Sequence, residues 1–270
     1  MTLNDIVSKS IFSSVGTLIK EEDITKFLQY VTYNQDFISK FPYILYSFNG
    51  DMNLCKFSEK LVKEMFPNST VEFIFSENLG HTFGIFLSEY MIYERCKQLT
   101  QYDYIWKFSN DTIANIELLN VDIIPSDFYY INNVGYNGIK NGNVEELIDS
   151  IINKKFLFPQ TNYYIIKNGT DFIPNKDKIY ELYEHYNSRE NKNLKPWEYI
   201  PECACEDFLV KTVKSANLQY HMLLTEYEVR TIVNIVYYNN MWDGSHKNIA
   251  YSRLGNLCHF HFPEQKILSI

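Results

Sequence analysis

The feature that most constrains the fold is the alternation of strand-like and helix-like segments between residues 43 and 108. Tyr43–Phe48 is an apolar, aromatic run of strand length, and it ends in the turn signal Asn49-Gly50-Asp51. Helical and strand-like segments then alternate over residues 54–66, 71–75, 85–99 and 104–108. Strands joined by helices predict parallel strands with helices packed on both faces. We therefore predict an α/β fold.

The first 40 residues have a different pattern. Apolar and polar residues mix there at spacings that suit short helices, for example over Glu22–Tyr33. We predict an N-terminal helical extension over residues 1–40 and a single larger domain over residues 41–270. Beyond residue 108, further strand-like segments cover residues 128–134, 162–166 and 257–262, and helical segments cover residues 177–186 and 206–217.

The charge of the chain argues against nucleic acid as a partner. The chain has 25 Lys and Arg against 33 Asp and Glu, a formal net charge of -8. Nonspecific duplex binding needs a clustered surplus of basic side chains, and the densest basic stretch, Lys192–Lys195, holds only two. A small phosphorylated ligand needs only a few donors and a metal ion, so that class of ligand stays open.

Cysteine usage and the N-terminal sequence predict a cytoplasmic protein without a transmembrane segment. The 5 cysteines are scattered and form no CxxC pair, which favours reduced thiols over a disulfide framework. Met1–Phe12 has neither a basic region nor a long apolar stretch. No window reaches the roughly 18 apolar residues of a membrane span.

Polar side chains are concentrated after the predicted strands. In open α/β sheets the ligand sits beyond the carboxyl ends of the strands, so the loops after the first three predicted strands should converge on one cleft. Those loops carry Asn49, Asp51, Glu77, Asn78, His81, Asn110 and Asp111.

Asp111 is the strongest single candidate for a metal ligand. The sequence Ser109-Asn110-Asp111 directly follows the strand that ends at Phe108. A carboxylate there can bind Mg²⁺ or Mn²⁺, which prefer oxygen ligands and commonly share them with substrate phosphates. The alternative, which this motif alone favours, is an aspartate that caps a helix beginning at Thr112 or Ile113.

Glu206 and Asp207 are candidates for a general base. They precede a helical segment that starts at Phe208. A carboxylate in the first turn of a helix has its charged form favoured by the helix dipole, and this suits a base that accepts a proton from a hydroxyl. The alternative is again a helix cap.

His259 and His261 form a further candidate pair. Residues two apart in a strand project to one face, so the two imidazoles could share a metal ion or a phosphate. The alternative is one packed and one exposed histidine. A zinc site made from Cys203, Cys205, Cys258 and His261 would lack a second close pair of ligands.

The segment from Trp242 to Lys247, together with Arg253, suits a lid. Gly244 permits a tight bend, Trp242 could cover a ligand, and Lys247 or Arg253 could neutralise a diphosphate. The alternative is a surface turn with a solvated lysine.

Taken in order, these segments resemble a GT-A type glycosyltransferase, nucleotide-sugar-dependent and family 2-like, over about residues 41–262. The resemblance implies a GT-A-like central mixed, mainly parallel sheet. In that family the first strand and its loop hold the nucleotide base, which implies Tyr46–Asp51 here, with Phe48 as the stacking candidate. Asn78-Leu79-Gly80 is similar to the asparagine and glycine segment that lies before the helix preceding the metal motif.

The resemblance also implies roles for the later motifs. Ser109-Asn110-Asp111 takes the place of the acidic DxD-like motif, with only its last acidic position present. Glu206-Asp207 matches the acidic pair whose aspartate is the catalytic base of inverting members. His259 or His261 matches a histidine near the end of the domain that supplies another metal ligand.

The activity implied by the resemblance is sugar transfer from a nucleotide-diphosphate sugar to a hydroxyl of a glycan or lipid-linked acceptor. Asp207 would remove the proton of the acceptor during direct displacement at the anomeric carbon. Mn²⁺ or Mg²⁺ near Asp111, with cationic side chains, would stabilise the departing nucleoside diphosphate.

Two rival functions stay open. A catalytically inactive relative could keep the fold as a sugar or protein binding module, and the incomplete acidic motif suggests it. A nucleotidyltransferase would require at least two carboxylates as ligands for its metal ions and a basic glycine-rich loop near the first strand. The segment Phe48-Asn49-Gly50-Asp51 lacks such a loop.

Overall fold

The computed structural model of the chain describes residues 1–109, 112–114, 116–132, 145, 148–149, 152–153, 157, 159–190, 193–200, 205–223 and 258–259. Within them, the strands are β1 (Ser10–Leu18), β2 (Tyr43–Gly50), β3 (Thr70–Ser76), β4 (Tyr104–Ser109), β5 (Thr112–Ile113), β6 (Phe128–Asn132), β7 (Pro159–Lys167), β8 (Tyr220–Met222) and β9 (Cys258–His259). The α-helices are α1 (Asn4–Val7), α2 (Glu21–Tyr33), α3 (Gln35–Ile38), α4 (Met52–Met65), α5 (Gly80–Lys97), α6 (Lys176–Ser188), α7 (Pro196–Tyr199) and α8 (Cys205–Ser215), and Ile116–Asn120 forms a 3-10 helix.

Seven of these strands form one mixed, mainly parallel sheet in the order β3-β2-β1-β4-β7-β6-β8. β1 pairs in parallel with both β2 and β4, β2 with β3, and β6 with β8. β7 runs antiparallel to its neighbours β4 and β6. β5 and β9 form a separate two-stranded antiparallel sheet. The predicted α/β class, a mainly parallel mixed sheet flanked by helices, is confirmed.

Helices cover both faces of the large sheet. α5 and α8 pack on one face, around buried side chains such as Ile11, Leu45 and Ile105. α2, α4 and the 3-10 helix pack on the other face, around Phe12 and Tyr46. Strands that are buried on both faces carry apolar residues at nearly every position, which is why the segments after residue 42 were recognisable from their sequence.

The prediction that residues 1–40 form a helical extension is wrong for Ser10–Leu18, which is β1 and lies between β2 and β4. Its three serines interrupt the apolar pattern by which a buried strand is recognised in a sequence. Ser10 Oγ accepts a hydrogen bond from Trp106 Nε1 at 3.0 Å, and Ser13 Oγ donates one to the Trp106 backbone oxygen at 3.0 Å. Hydroxyls that are paired in this way can be buried at little cost, so a polar-looking segment occupies the interior of the sheet.

The elements predicted between residues 43 and 108 are all present, and the main difference is the start of α5. This helix begins at Gly80, whereas the periodicity predicted a start near residue 85. The start of the helix looks like a loop because its first five residues include two glycines, Gly80 and Gly84. Phe83 lies between them and is 2% exposed, so packing on the rest of the protein offsets the low helix propensity of glycine.

Two of the cysteines lie in the described core. Cys55 and Cys96 are buried free thiols, as expected for reduced cysteines. Burial raises the pKa of the Cys55 thiol to about 11. Among the described residues, no helix combines the length and the apolar composition that crossing a membrane requires.

Candidate functional site

The carboxyl ends of β1, β2, β3 and β4 lie side by side and form what we call the carboxyl edge of the sheet. The four strands end at Leu18, Gly50, Ser76 and Ser109. Open α/β sheets bind ligands outside such an edge. The resemblance assigns Tyr46–Asp51 to the end of the first strand, but in the structure this segment ends the second strand, β2. The first strand is β1, which the sequence pattern did not reveal.

Beneath α5, the sheet face near the carboxyl edge carries small polar side chains. Thr17 is paired with Asn49, and Asn49 with Ser76, in the strand register, so the three side chains project to the same face. Ser76 Oγ lies 2.8 Å from Ser88 Oγ of α5. Thr17 Oγ1, Asn49 Oδ1 and Ser47 Oγ are buried without a hydrogen-bond partner among the described residues. The interior of this edge is therefore polar, like its loops.

Asn49 faces a helix backbone. The residue is 0% exposed, and its Nδ2 donates to the Gly16 backbone oxygen at 3.4 Å. A Cβ atom on Gly84 would lie 2.8 Å from Asn49 Cγ, so a glycine is needed for this close approach. In this structure α5, and not open solvent, lies against the side chain that was predicted to bind a nucleotide sugar.

Phe48 and Asp51 have structural partners that the resemblance does not imply. Phe48 is 1% exposed, and its ring packs on Phe27 of α2 with the ring centroids 4.8 Å apart. The Phe48 ring is therefore not open for stacking on a nucleotide base. Asp51 caps α4, because its Oδ1 accepts hydrogen bonds from the backbone N–H groups of Asn53 at 2.8 Å and Leu54 at 3.0 Å.

Asn78 and Gly80 form an open turn at the carboxyl edge. Asn78 Oδ1 accepts a hydrogen bond from the Gly80 N–H at 3.0 Å. Gly80 has a φ of +77°, and a Cβ atom there would meet nothing within 4 Å, so glycine is needed for its backbone conformation. The neighbouring Glu77 accepts a hydrogen bond from the Tyr180 hydroxyl of α6 at 2.8 Å. The turn is thus held to α6 at Glu77, and it has open space beside Gly80.

The residues that follow Asp111 form a strand. Asn110 and Asp111 themselves lie outside the described residues. Thr112–Ile113 is β5 and pairs with β9, with Thr112 opposite His259. The alternative in which Asp111 caps a helix beginning at Thr112 or Ile113 is therefore wrong. The same pairing brings the histidine-bearing C-terminal strand next to the segment that follows Asp111.

The predicted acidic pair lies in the first turn of α8. The helix begins at Cys205, so Glu206 and Asp207 are its second and third residues, and Asp207 is partly exposed. The next residue, Phe208, packs on Phe86 of α5 with the ring centroids 4.9 Å apart. Because α5 starts at the carboxyl edge and Phe86 lies in its second turn, the first turn of α8 lies beside the start of α5.

The remaining predicted site residues are described in part or not at all. For Glu206 and His259 the structure describes the backbone. Outside the described residues lie Trp242, Lys247, Arg253 and His261. Within the described part of the chain, no group of three or more His, Cys, Asp or Glu side chains is arranged to hold a metal ion. Two of the three predicted metal ligands, Asp111 and His261, fall outside that part.

The site also contains a buried ion pair that the sequence did not reveal. Lys107 of β4 and Glu89 of α5 are 3% and 5% exposed, with Lys107 Nζ 3.0 Å from Glu89 Oε1. The only signal in the sequence is one lysine inside the otherwise apolar strand Tyr104–Ser109. Buried charges are rare unless they are paired, so this lysine would have justified a search for an acidic partner.

Burial also controls the ionisation of hydroxyl groups near this pair. The Tyr93 hydroxyl of α5 donates to the Tyr164 hydroxyl of β7 at 3.1 Å. Burial raises the pKa of Tyr93 well above its ordinary value. The hydroxyl therefore stays protonated and acts as a neutral hydrogen-bond donor between α5 and the sheet.

These features define an α/β protein with a mixed sheet and a polar carboxyl edge. No family model matches the chain, and no curated protein matches it. Solved structures that match the chain include the nucleoside-diphosphate-sugar pyrophosphorylase from Vibrio cholerae RC9, with 14% identity and a TM-score of 0.39 over 79% of this chain and 90% of that one. Mouse xyloside xylosyltransferase 1 matches with 10% identity and a TM-score of 0.37 over 79% and 84%. The inositol-1-phosphate CTP transferase from T. maritima matches with 9% identity and a TM-score of 0.42 over 84% and 97%. At these values the neighbours assign neither a family nor a function.

Proposed function

We propose that the chain is a nucleotide-sugar-dependent glycosyltransferase of the GT-A type, which transfers a sugar to an acceptor hydroxyl on a glycan or lipid-linked molecule. The observation that carries the proposal is the pairing of Thr112 with His259. It joins two candidate metal-binding segments that are far apart in sequence, and it does so next to the end of β4. It also removes the helix-cap explanation for Asp111.

The donor set of the two joined segments suits a divalent cation. We propose that Asp111, His259 and His261 bind Mn²⁺ or Mg²⁺, because carboxylate and imidazole groups are accepted by these ions together with phosphate oxygens. When bound, the cation would neutralise negative charge on the leaving nucleoside diphosphate. Lys247 and Arg253 would add positive charge, and Trp242 would cover the sugar.

Asp207 is the proposed general base. It lies in the first turn of α8, and it is partly exposed, so an acceptor hydroxyl can approach it. Deprotonation of the acceptor by Asp207 would accompany direct displacement, which inverts the anomeric centre. Glu206, the adjacent acid, would support the acceptor side of the site.

A thermal-shift screen of nucleotide-diphosphate sugars, with and without Mn²⁺, tests donor binding. A donor at 100 times its Kd stabilises the native state by about 2.7 kcal/mol, which raises the Tm of a chain of this size by roughly 5–10 °C. A shift that needs both the donor and the metal ion supports the proposal. Shifts with free glycans and none with any nucleotide would support the inactive sugar-binding module instead.

Asp207→Asn tests the chemical step. We expect the variant to keep the donor-dependent Tm shift and to lose transfer by about 10²- to 10⁴-fold. The matched control is Asp177→Asn, because Asp177 is an exposed aspartate in the first turn of another helix, α6. Equal activity of Asp207→Asn and Asp177→Asn would refute the role of Asp207.

A further inference from the structure

One ammonium group joins three elements of the fold near the carboxyl edge. Lys107 of β4 lies with its Nζ 3.0 Å from Glu89 Oε1 in the third turn of α5. The same Nζ donates to the backbone oxygen of Thr161 in β7 at 2.7 Å. Lys107 and Glu89 are 3% and 5% exposed. β4, α5 and β7 are therefore connected through a single buried side chain.

The Lys107 side chain points toward the carboxyl edge. In the antiparallel register of β4 and β7, Lys107 is opposite Tyr164. Thr161, whose carbonyl the ammonium reaches, lies three residues nearer to the start of β7. Because β7 runs antiparallel to β4, the start of β7 lies at the carboxyl edge. The ammonium is therefore beside the end of β4, which is Ser109.

Stability alone does not account for charges at this place. On this face of the sheet, small polar side chains lie toward the carboxyl edge, and apolar side chains, including Ile11, Ile105 and Ile166, pack farther along the strands. Replacing a buried ion pair by well-packed apolar residues is often neutral or stabilising, so the fold does not need charges here. Charged hydrogen bonds instead fix a position, because they hold the Lys107 ammonium at two particular oxygen atoms, Glu89 Oε1 and the Thr161 backbone oxygen.

We propose that Lys107 and Glu89 are positioning residues. They hold the end of β4 against α5 and β7 and thereby set where the chain enters the Asn110-Asp111 segment. Neither side chain contacts a substrate, because both are buried. The catalytic part of this inference rests on the proposed function, whereas the fixed position of the β4 end does not.

The test is a double variant that removes both charges together. Lys107→Met combined with Glu89→Met leaves no unpaired charge and keeps side chains of similar length. The matched control is Lys63→Met combined with Glu59→Met, which removes an exposed ion pair with a 2.7 Å contact on α4. For each variant we would measure the urea unfolding curve, the kcat and donor KM of sugar transfer, and hydrogen exchange of the peptide covering β4 and β5.

We expect the Lys107 and Glu89 double variant to unfold cooperatively and to keep its donor KM within about threefold of the original value, while kcat falls by about 10- to 100-fold, as for a misplaced reacting group. Hydrogen exchange at the β4 end should accelerate by about tenfold or more, since local opening becomes easier there. The Lys63 and Glu59 control should change neither kcat nor the hydrogen exchange at the β4 end.

A folded double variant with unchanged kcat and unchanged exchange at the β4 end would overturn the inference. If the double variant does not fold, Lys107→Met combined with Glu89→Gln replaces it, because this variant also removes both charges while keeping the volume of the Glu89 side chain, and the same two outcomes apply. If the unaltered protein neither binds nor transfers any sugar, the proposed function fails, and the exchange at the β4 end alone decides whether Lys107 and Glu89 position the strand.

Discussion

Asn168 provides a sharp test of how the end of α5 is held. Its Nδ2 donates to the backbone oxygens of Cys96 at 2.9 Å, Leu99 at 3.1 Å and Tyr102 at 3.0 Å, and its Oδ1 accepts from the Gly169 N–H at 2.8 Å. One amide group thus satisfies three carbonyls at and just beyond the C-terminus of α5. Asn168→Asp keeps the shape and the Gly169 contact but replaces the donor by a negatively charged acceptor.

The expected cost follows from these bonds. Two N–H donors contribute about 1 kcal/mol each, so Asn168→Ala should lower the free energy of unfolding by about 2 kcal/mol. Asn168→Asp should cost about 1–3 kcal/mol more at pH 7, because a partly buried carboxylate oxygen then faces three carbonyl oxygens. The fold would raise the pKa of that new carboxyl. Its destabilisation should therefore be largest above the folded-state pKa and should shrink as the pH falls toward about 4 and an O–H donor returns.

Urea unfolding followed by far-UV circular dichroism measures these differences. Asn175→Asp is the matched control, because Asn175 caps α6 as an acceptor, with its Oδ1 3.0 Å from the Lys178 backbone nitrogen, and aspartate is an equally good cap. The control should be neutral or slightly stabilising. If Asn168→Asp were as stable as Asn168→Ala or more so, the assignment of Asn168 as a donor to three carbonyls would be refuted.

Two further predictions concern an ion pair and a close contact. A hydrogen bond from Lys167 lowers the pKa of Asp127, so Asp127→Asn should lower the free energy of unfolding by about 0.5–1 kcal/mol at pH 7. In urea unfolding at several pH values, this loss should vanish as the pH falls below about 4 through the depressed folded-state pKa of Asp127. A loss that persists there would contradict the assignment. Gly84→Ala should lower stability by about 1–2 kcal/mol, because its clash with Asn49 outweighs the higher helix propensity of alanine. Adding Asn49→Ala should recover part of that loss, and a strictly additive double variant would argue against the contact.

The strands and helices between residues 43 and 108 could be predicted because their apolar patterns are local. Strands buried on both faces read as nearly continuous apolar runs, and Tyr43–Phe48 and Tyr104–Phe108 do so with one polar residue each, Ser47 and Lys107. Ser10–Leu18 could not be recognised in this way. Two of its serines, Ser10 and Ser13, are buried because Trp106, almost a hundred positions away, supplies a donor and an acceptor.

The candidate site was predictable in outline and not in detail. The rule that ligands bind beyond the carboxyl ends of parallel strands selected Asn49 and Asp51 from sequence order, and the resemblance added Phe48. The alternation of faces along a strand shows that Phe48 and Asn49 point in opposite directions. It does not show that α2 covers one and α5 the other, since helix packing is decided by the whole sheet.

The sequence by itself determined the fold class, the order of the elements between residues 43 and 108 and the acidic position of Glu206 and Asp207 at a helix start, because these depend on periodicity and composition within a few turns. The tertiary structure decided that β1 lies inside the sheet, that Thr112 pairs with His259, and that Lys107 meets Glu89. Each of these depends on contacts between segments distant in the chain, and such contacts are selected by the packing of the entire core.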